Sequence, residues 1–344
     1  MQSSLSRVWT FVALCLGCAL GLGVYAYHAY RIRPRTVSPT QALWSSAAAR
    51  ESLREKPRQI FFRYTGLDDH YGKLAVVDFP GPGVPRFIEA FSCNVVHVAR
   101  GQGICLAADR GMFTTYTAEL FDSSFQSRFK IPLQGGPSRA RVSPDGKMAG
   151  LTVFLSGHGY ASVDFSTQTL LIDTARGTVL ADMESFQVTR GGRPFQAKDF
   201  NFWGVTFTPD SNRFYCTLSS NRKHYLVACD AAARTASVLH ENVECPSVSP
   251  DGSHIAYKKR FIIDGRLIWQ LHVLDLATMQ ETALAEKRSV DDQLEWLDDD
   301  HVLYTVSDDP GGSSAITNVW KVAVAGQAPP ELFLSRAYSP AVVR

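Results

Sequence analysis

Val142-Ser143-Pro144-Asp145-Gly146 returns twice in this chain, as Phe207-Thr208-Pro209-Asp210-Ser211 and as Val248-Ser249-Pro250-Asp251-Gly252. A weaker copy, Val98-Ala99-Arg100-Gly101, precedes them, and a degenerate one, Glu295-Trp296-Leu297-Asp298-Asp299, follows. Each copy leads into a short apolar strand: ICLAADR, MAGLTVF, RFYCTLS, HIAYKKR and HVLYTVS. The local chemistry is that of a hairpin turn, in which Pro fixes φ, Asp bonds to the turn backbone and Gly accepts a positive φ. The aspartates therefore read as turn residues, not as acids or bases. Tyr338-Ser339-Pro340 reads as a last copy. Counted at the proline position, the copies lie 41 to 47 residues apart, with one step of 65. A period of that length with four short strands in it is the signature of a propeller blade, and the long step is a blade with an insertion.

The blade count closes on itself. Blades two to six each begin at a copy. The stretch before the first copy supplies only three strands, QIFFRYTG, KLAVVDF and RFIEA, and the C-terminal RAYSPAVVR supplies one more. Pairing the two ends completes blade one. The expected fold is all-β, a monomeric six-bladed β-propeller over residues 58–344, closed by its C-terminal strand and showing no open edge at the seam.

The N-terminal region reads differently. After a short tail, residues 1–7, comes an apolar span, residues 8–30, whose stretch Val8 to Tyr27 carries no charge. As a helix it matches the roughly 30 Å hydrocarbon core of a bilayer. Trp9, Tyr25, Tyr27 and Tyr30 stand where aromatic rings anchor at the interfaces. The run ends in tyrosines, not in the small residues of a cleavage site, so it reads as an uncleaved single transmembrane helix. Residues 31–57 form a linker, with Ser38-Pro39 starting a short helix. Arg31, Arg33 and Arg35 against Arg7 lean toward a cytoplasmic propeller. The cysteines lean the other way.

Two cysteine pairs straddle hairpins. Cys216 and Cys229 flank TLSSNRKHYLVA, where a turn near Asn221-Arg222 places them almost opposite each other, and Cys93 and Cys105 straddle the VHVARGQG turn slightly out of register. Either pair forms a disulfide if its Cα atoms lie about 4.4–6.8 Å apart, which favours an oxidising compartment. Cys245 is left over. Charge is balanced, with 35 basic and 33 acidic residues and a net +2, so nothing points to nucleic acid. The chain shows no G-x-S-x-G elbow, H-E-x-x-H, Walker loop or dinucleotide fingerprint. The nine histidines are scattered singly, and His254 and His301, at strand starts, read as structural.

The Ser-Pro-Asp-Gly turn ahead of an apolar-Ala-Tyr strand resembles the TolB-type, WD-like propeller repeat from residue 59 onward. The stretches SRARVSPDGKMAGLTVF, DFNFWGVTF and LHVLDLATMQETALAE are similar to actinobacterial membrane-anchored TolB-like translocation proteins. The resemblance implies a propeller outside the cytoplasmic membrane and a protein-binding role, and it favours the Cys93–Cys105 bridge. Dedicated TolB proteins carry an α/β domain ahead of the propeller, for which residues 1–57 leave no room. That departure weighs against a role in a Tol system.

The longer connections, Ser156–Gln168, Glu184–Asn201, Lys258–Leu267 and Ser307–Ala315, all belong to one face, where binding is expected. That face would carry His158, Tyr160, Arg190, Arg193, Lys198, Lys259 and Arg260, with Trp203 nearby. Around the channel mouth stand Asp199, Asn201, Glu244, Asp291 and Asp292. Converging carboxylates could hold Ca²⁺, although pairing with arginines such as Arg139 is the commoner outcome, and no other cofactor is expected. The leading expectation is a non-catalytic, single-pass cell-membrane protein with an extracytoplasmic propeller that binds a protein or peptide, in an envelope or secretion-related complex. The alternatives are a lyase or hydrolase with a channel-mouth site for a small polar or glycan-like substrate, and a purely structural component of such a complex.

Overall fold

Each Ser-Pro-Asp-Gly turn is built as its sequence dictates. Asp145 Oδ1 accepts from Ser143 Oγ and from the Lys147 amide. Asp210 does the same with Thr208, Asn212 and Arg213, and Asp251 with Ser249 and Ser253. The hydroxyls of Ser249 and Ser253 hold the Asp251 carboxyl down to about 2. Gly146 and Gly252 take φ of 76° and 77°, and Ser211 follows at 63°. These carboxylates are fully engaged by their own turns.

The computed structural model describes residues 59–79, 83–156, 165–309 and 315–344, together with residues 20 and 21. Within them lie six sheets, each a propeller blade, five antiparallel throughout and one carrying a single parallel pair. The inner strands, from blade I to blade VI, are Ala337–Val343, Val95–Ala99, Gly136–Val142, Asn201–Phe207, Glu244–Val248 and Glu295–Trp296. Blade I joins both ends of the propeller. Ala337–Val343 pairs with Gln59–Tyr64, in register from Gln59↔Val343 to Tyr64↔Ala337, and Lys73–Asp78 and Arg86–Ser92 follow outward. Apolar residues pack between neighbouring blades all the way round. Phe61, Leu74 and Phe91 of blade I meet Val96, Val98 and Phe121 of blade II, and Ile60 and Ala75 meet Leu303 and Val319 of blade VI.

Four expectations are corrected. Glu184–Asn201 is not a loop on one face. A 3-10 turn, Met183–Ser185, leads into Gln187–Arg190, which pairs in parallel with Thr235–Glu241 and extends blade IV outward with Arg193–Pro194. Phe186 and Val188 on it are buried in the core between blades III and IV, so apolar burial holds the insertion to the ring. Lys258–Leu267 is likewise no loop. The strands His254–Ile263 and Arg266–Asp275 run paired to a tight Asp264–Gly265 turn with φ of 50° and 73°. Ser339-Pro340 lies inside the closing strand, not at a turn.

The fourth correction concerns the cysteines. Cys93 and Cys105 are joined, with Cα atoms 5.3 Å apart. Cys216 and Cys229 are free, their sulfurs 3.8 Å apart, because Cys216 pairs with Val227 and Cys229 with Phe214. The anchor, residues 8–30, apart from residues 20 and 21, and the whole linker, residues 31–57, lie outside the described residues. Among those described, no helix is long and apolar enough to cross a membrane.

Three of the six inner strands share a kink. Gly204, Cys245 and Ser339, at matching levels of blades IV, V and I, have φ of 68°, 48° and 53°, each beside a shift of register. The first two kinks touch: a Cβ on Gly204 would lie 2.8 Å from the Cys245 Cα. Only glycine fits there.

Candidate functional site

The six inner strands contact one another in ring order. Their C-terminal ends gather at one face, where Ala99, Pro144, Pro209, Pro250 and Arg344 line a single vestibule of about 390 Å³. Because strands alternate in direction outward, the hairpins joining second to third strands emerge on the opposite face. At mid-height the channel is closed. Gln293 Nε2 donates to the carbonyls of Val205 (3.1 Å) and Pro246 (2.9 Å), tying three blades together. The void beside it, lined by Arg139 and Tyr338, is only about 10 Å³.

Above this plug lies a dense ionic cluster. Fully buried Glu244 accepts from Arg260 Nε at 2.6 Å, Arg260 Nη2 at 3.3 Å and Trp269 Nε1 at 3.2 Å. Lys258, also fully buried, bonds Asp291 and lies 4.5 Å from the centre of the Trp269 ring. Arg139 approaches Asp291 at 3.8 Å. Burial opposes ionisation of Asp291, but Lys258 and Arg139 outweigh it and lower its carboxyl pKa. Burial raises Asp292 instead, although its carboxylate accepts the Thr305 and Gln293 amides.

The residues expected at a binding face are thus divided. Glu244, Arg260, Asp291 and Asp292 do meet at the mouth, two of the carboxylates held by cations and Asp292 by backbone amides. Asp199 caps the turn at Ser220 and Asn221, and Asn201 binds Thr167 and the Phe165 carbonyl. Trp203 is core, packed with Cys245 and Trp269. Arg190, bonded to Glu241, and Lys259, bonded to Glu281, flank an open cleft between blades IV and V. Arg193 and Lys198 are exposed on and beside the added hairpin. His158 and Tyr160 lie outside the described residues. The carboxylates do not converge as a Ca²⁺ site requires, and among the described residues no group of three metal-binding side chains occurs.

Three buried histidines give the ring an acid sensitivity. Burial, with Arg260 and Lys258 adding to it against Glu244, lowers His224 to about 4. Burial, then Arg141 and Arg344, lowers His97 well below 6.5; burial and then Lys259 lower His272, neither of whose ring nitrogens has a hydrogen-bond partner among the described residues. A histidine with a depressed folded pKa binds protons more readily in the unfolded chain. Stability is therefore complete above pH 6.5 and falls as the pH drops toward 4. The slope is about 1.4 kcal/mol per pH unit for each histidine titrating. Carboxylates with lowered pKa, such as Glu281 at about 2, add their loss only below 4.5. Urea midpoints should fall between pH 7 and pH 5; equal midpoints would refute the assignment.

One feature escaped the sequence reading. On the face opposite the vestibule, the hairpin tips expose large apolar side chains. Met112 is 93% exposed and Phe113 80% in blade II, Leu67 68% in blade I, and Ile262 77% beside Ile263 in blade V. Leu155 of blade III is exposed as well. The signal was present in Asp109-Arg110-Gly111-Met112-Phe113, where apolar residues sit in a turn and strand alternation has nothing to bury them against.

No family model matches this chain, and no curated protein matches it. Solved structures do. TolB from Acinetobacter baumannii superposes with a TM-score of 0.56 at 16% identity, covering 83% of this chain and 66% of that one. The chain thus spans just under two thirds of that TolB. A chain of the nidogen/laminin complex gives 0.51 at 10% identity, over 83% of this chain and 98% of that one. At these identities the likeness is one of fold: a TolB-like six-bladed propeller.

Proposed function

We propose that this protein is a membrane-tethered, extracytoplasmic propeller that binds a protein or peptide through its hairpin-tip face and catalyses no reaction on it. The observation that carries this reading is the set of exposed apolar tips. Soluble surfaces rarely leave several large apolar side chains together on one face unless something covers them. The chain enters the ring at Gln59, beside Val343 on the vestibule side, so the tips lie on the face opposite that entry. The Cys93–Cys105 bridge supports an oxidising compartment, and hence an extracytoplasmic propeller. The apolar span 8–30 supports the tether.

The test is site-specific photo-crosslinking in native membranes, from Phe113 and Leu67 and, on the opposite face, from Ala233, which is exposed in the turn joining the third and fourth strands of blade IV and lies outside the vestibule lining. Protein adducts are expected from the first two and none from Ala233. With the crosslinker at Leu67, the Met112→Ser/Phe113→Ser/Ile262→Ser variant should abolish the adducts while leaving the melting temperature unchanged, because these three side chains are largely exposed. Adducts to lipid alone, or equal protein adducts from Ala233, would overturn the reading.

A further inference from the structure

The vestibule has a polar floor whose hydrogen-bonding capacity is unevenly used. Side chains from alternate blades each accept a backbone amide of the next blade. His97 Nδ1 takes Val142 N at 3.0 Å, Thr206 Oγ1 takes Val248 N at 3.1 Å, and Glu295 Oε1 takes Val342 N at 3.1 Å. Glu295 Oε2 faces Arg141 Nη1 at 3.1 Å. The inner strands' amides thereby engage the acceptors of the floor, and its donors are left over.

Those donors can be named. With Nδ1 accepting, the neutral His97 ring carries its proton on Nε2, which makes no hydrogen bond among the described residues and lies 3.9 Å from Glu295. Arg141 donates through Nη2 to the Leu294 carbonyl at 2.7 Å and has further N–H groups beyond those used. The Ser247 hydroxyl has no partner among the described residues, and the Thr206 hydroxyl has no acceptor. His97, Arg141, Thr206 and Ser247 are all more than nine-tenths buried, so these donors are reachable only from the cavity. The side-chain charges lining it are Arg100, Arg141 and Arg344 against Asp145 and Glu295, an excess of one cation. Above the floor the walls are apolar, formed by Val98, Phe207, Val248 and Val343. The volume of about 390 Å³ suits a small ligand or one terminal residue of a peptide.

We propose that this vestibule binds a carboxylate attached to an apolar body, the carboxylate taking the His97, Ser247 and Arg141 donors and the body lying along the walls. A free acid and a peptide C-terminus share this chemistry. The site is on the opposite face from the hairpin tips and independent of them.

The experiment titrates the full-length chain in detergent with 3-phenylpropionate, its primary amide, and the peptide Ala-Ala-Phe as free acid and as C-terminal amide. Ligand-observed NMR and tryptophan emission report binding. At least one acid should bind, and its amide should bind at least about ten-fold more weakly, the scale of a lost charge-assisted hydrogen bond. Binding of the peptide acid alone identifies a polypeptide terminus as the source, and binding of phenylpropionate identifies a small acid. Ser247→Ala should weaken the acid about three- to ten-fold with an unchanged melt, and Val343→Trp, which fills the cavity, should abolish binding. Should Val343→Trp not fold, Ser247→Ala decides. Equal affinity for acid and amide, no binding of any probe at millimolar concentration, or full affinity in Ser247→Ala would overturn the proposal.

Discussion

Deleting Ala337–Arg344 is expected to leave a chain that no longer melts cooperatively. The deleted strand is the innermost of blade I, and five of its residues are in register with Gln59–Tyr64. Its removal bares Ile60, Phe61 and Phe62, now buried, and takes Ala337, Ala341 and Val342 out of the cores on either side of the seam. It also removes Ser339, whose hydroxyl bonds both N and O of Val96 and so ties blade I to blade II. A buried Val or Phe contributes about 1.5–3 kcal/mol and each backbone hydrogen bond about 0.5–1.5. The loss therefore approaches the whole stability of a domain, about 5–15 kcal/mol. Differential scanning calorimetry of the truncated chain should show no sharp endotherm, and a peptide spanning 335–344 added in trans should restore one. A sharp transition within a few degrees of the full chain's would mean the ring does not depend on this closure.

The closure was legible because the first blade lacked one strand and the last segment had no blade of its own. The repeated turns were legible for a different reason: their chemistry is local, so Ser143, Asp145 and Gly146 act on their own turn and leave a pattern. What the sequence concealed is non-local. Gln187–Arg190 is four residues long, too short for a period, and its partner Thr235–Glu241 lies far along the chain in an uncommon parallel pairing. The mouth was half visible. Pairing of its carboxylates with arginines was foreseen, but Lys258 was not, although it lies two residues from buried Ala256 and so shares its face of the strand. Spacing places Cys216 and Cys229 almost opposite each other and Cys93 and Cys105 slightly out of register, yet the bonded pair is the second: Cys105 faces Val96, and Cys93, in the connection ahead of that strand, comes within 5.3 Å of it at Cα.

Replacing Glu295 with alanine should be the costliest single substitution in the channel, about 3–5 kcal/mol, because it leaves a buried cation without its partner. Glu295 and Arg141 are both nearly inaccessible to solvent, and their ion pair joins blade VI to blade III across the axis. The same carboxylate accepts the Val342 amide and so holds the closing strand. Two losses are thus combined in Glu295→Ala, an unpaired guanidinium and an unsatisfied backbone donor. Glu295→Gln separates them, since the amide oxygen can still take Val342 N while the charge is gone, and it should cost less. In Glu295→Leu/Arg141→Met both charges leave together, and most of the stability should return, with a clear departure from additivity in the double-mutant cycle. Urea denaturation at pH 7 measures all three. A cost below about 1 kcal/mol for Glu295→Ala, the range of exposed ion pairs, would show that water reaches Arg141 and that the channel floor is wetter than its burial indicates.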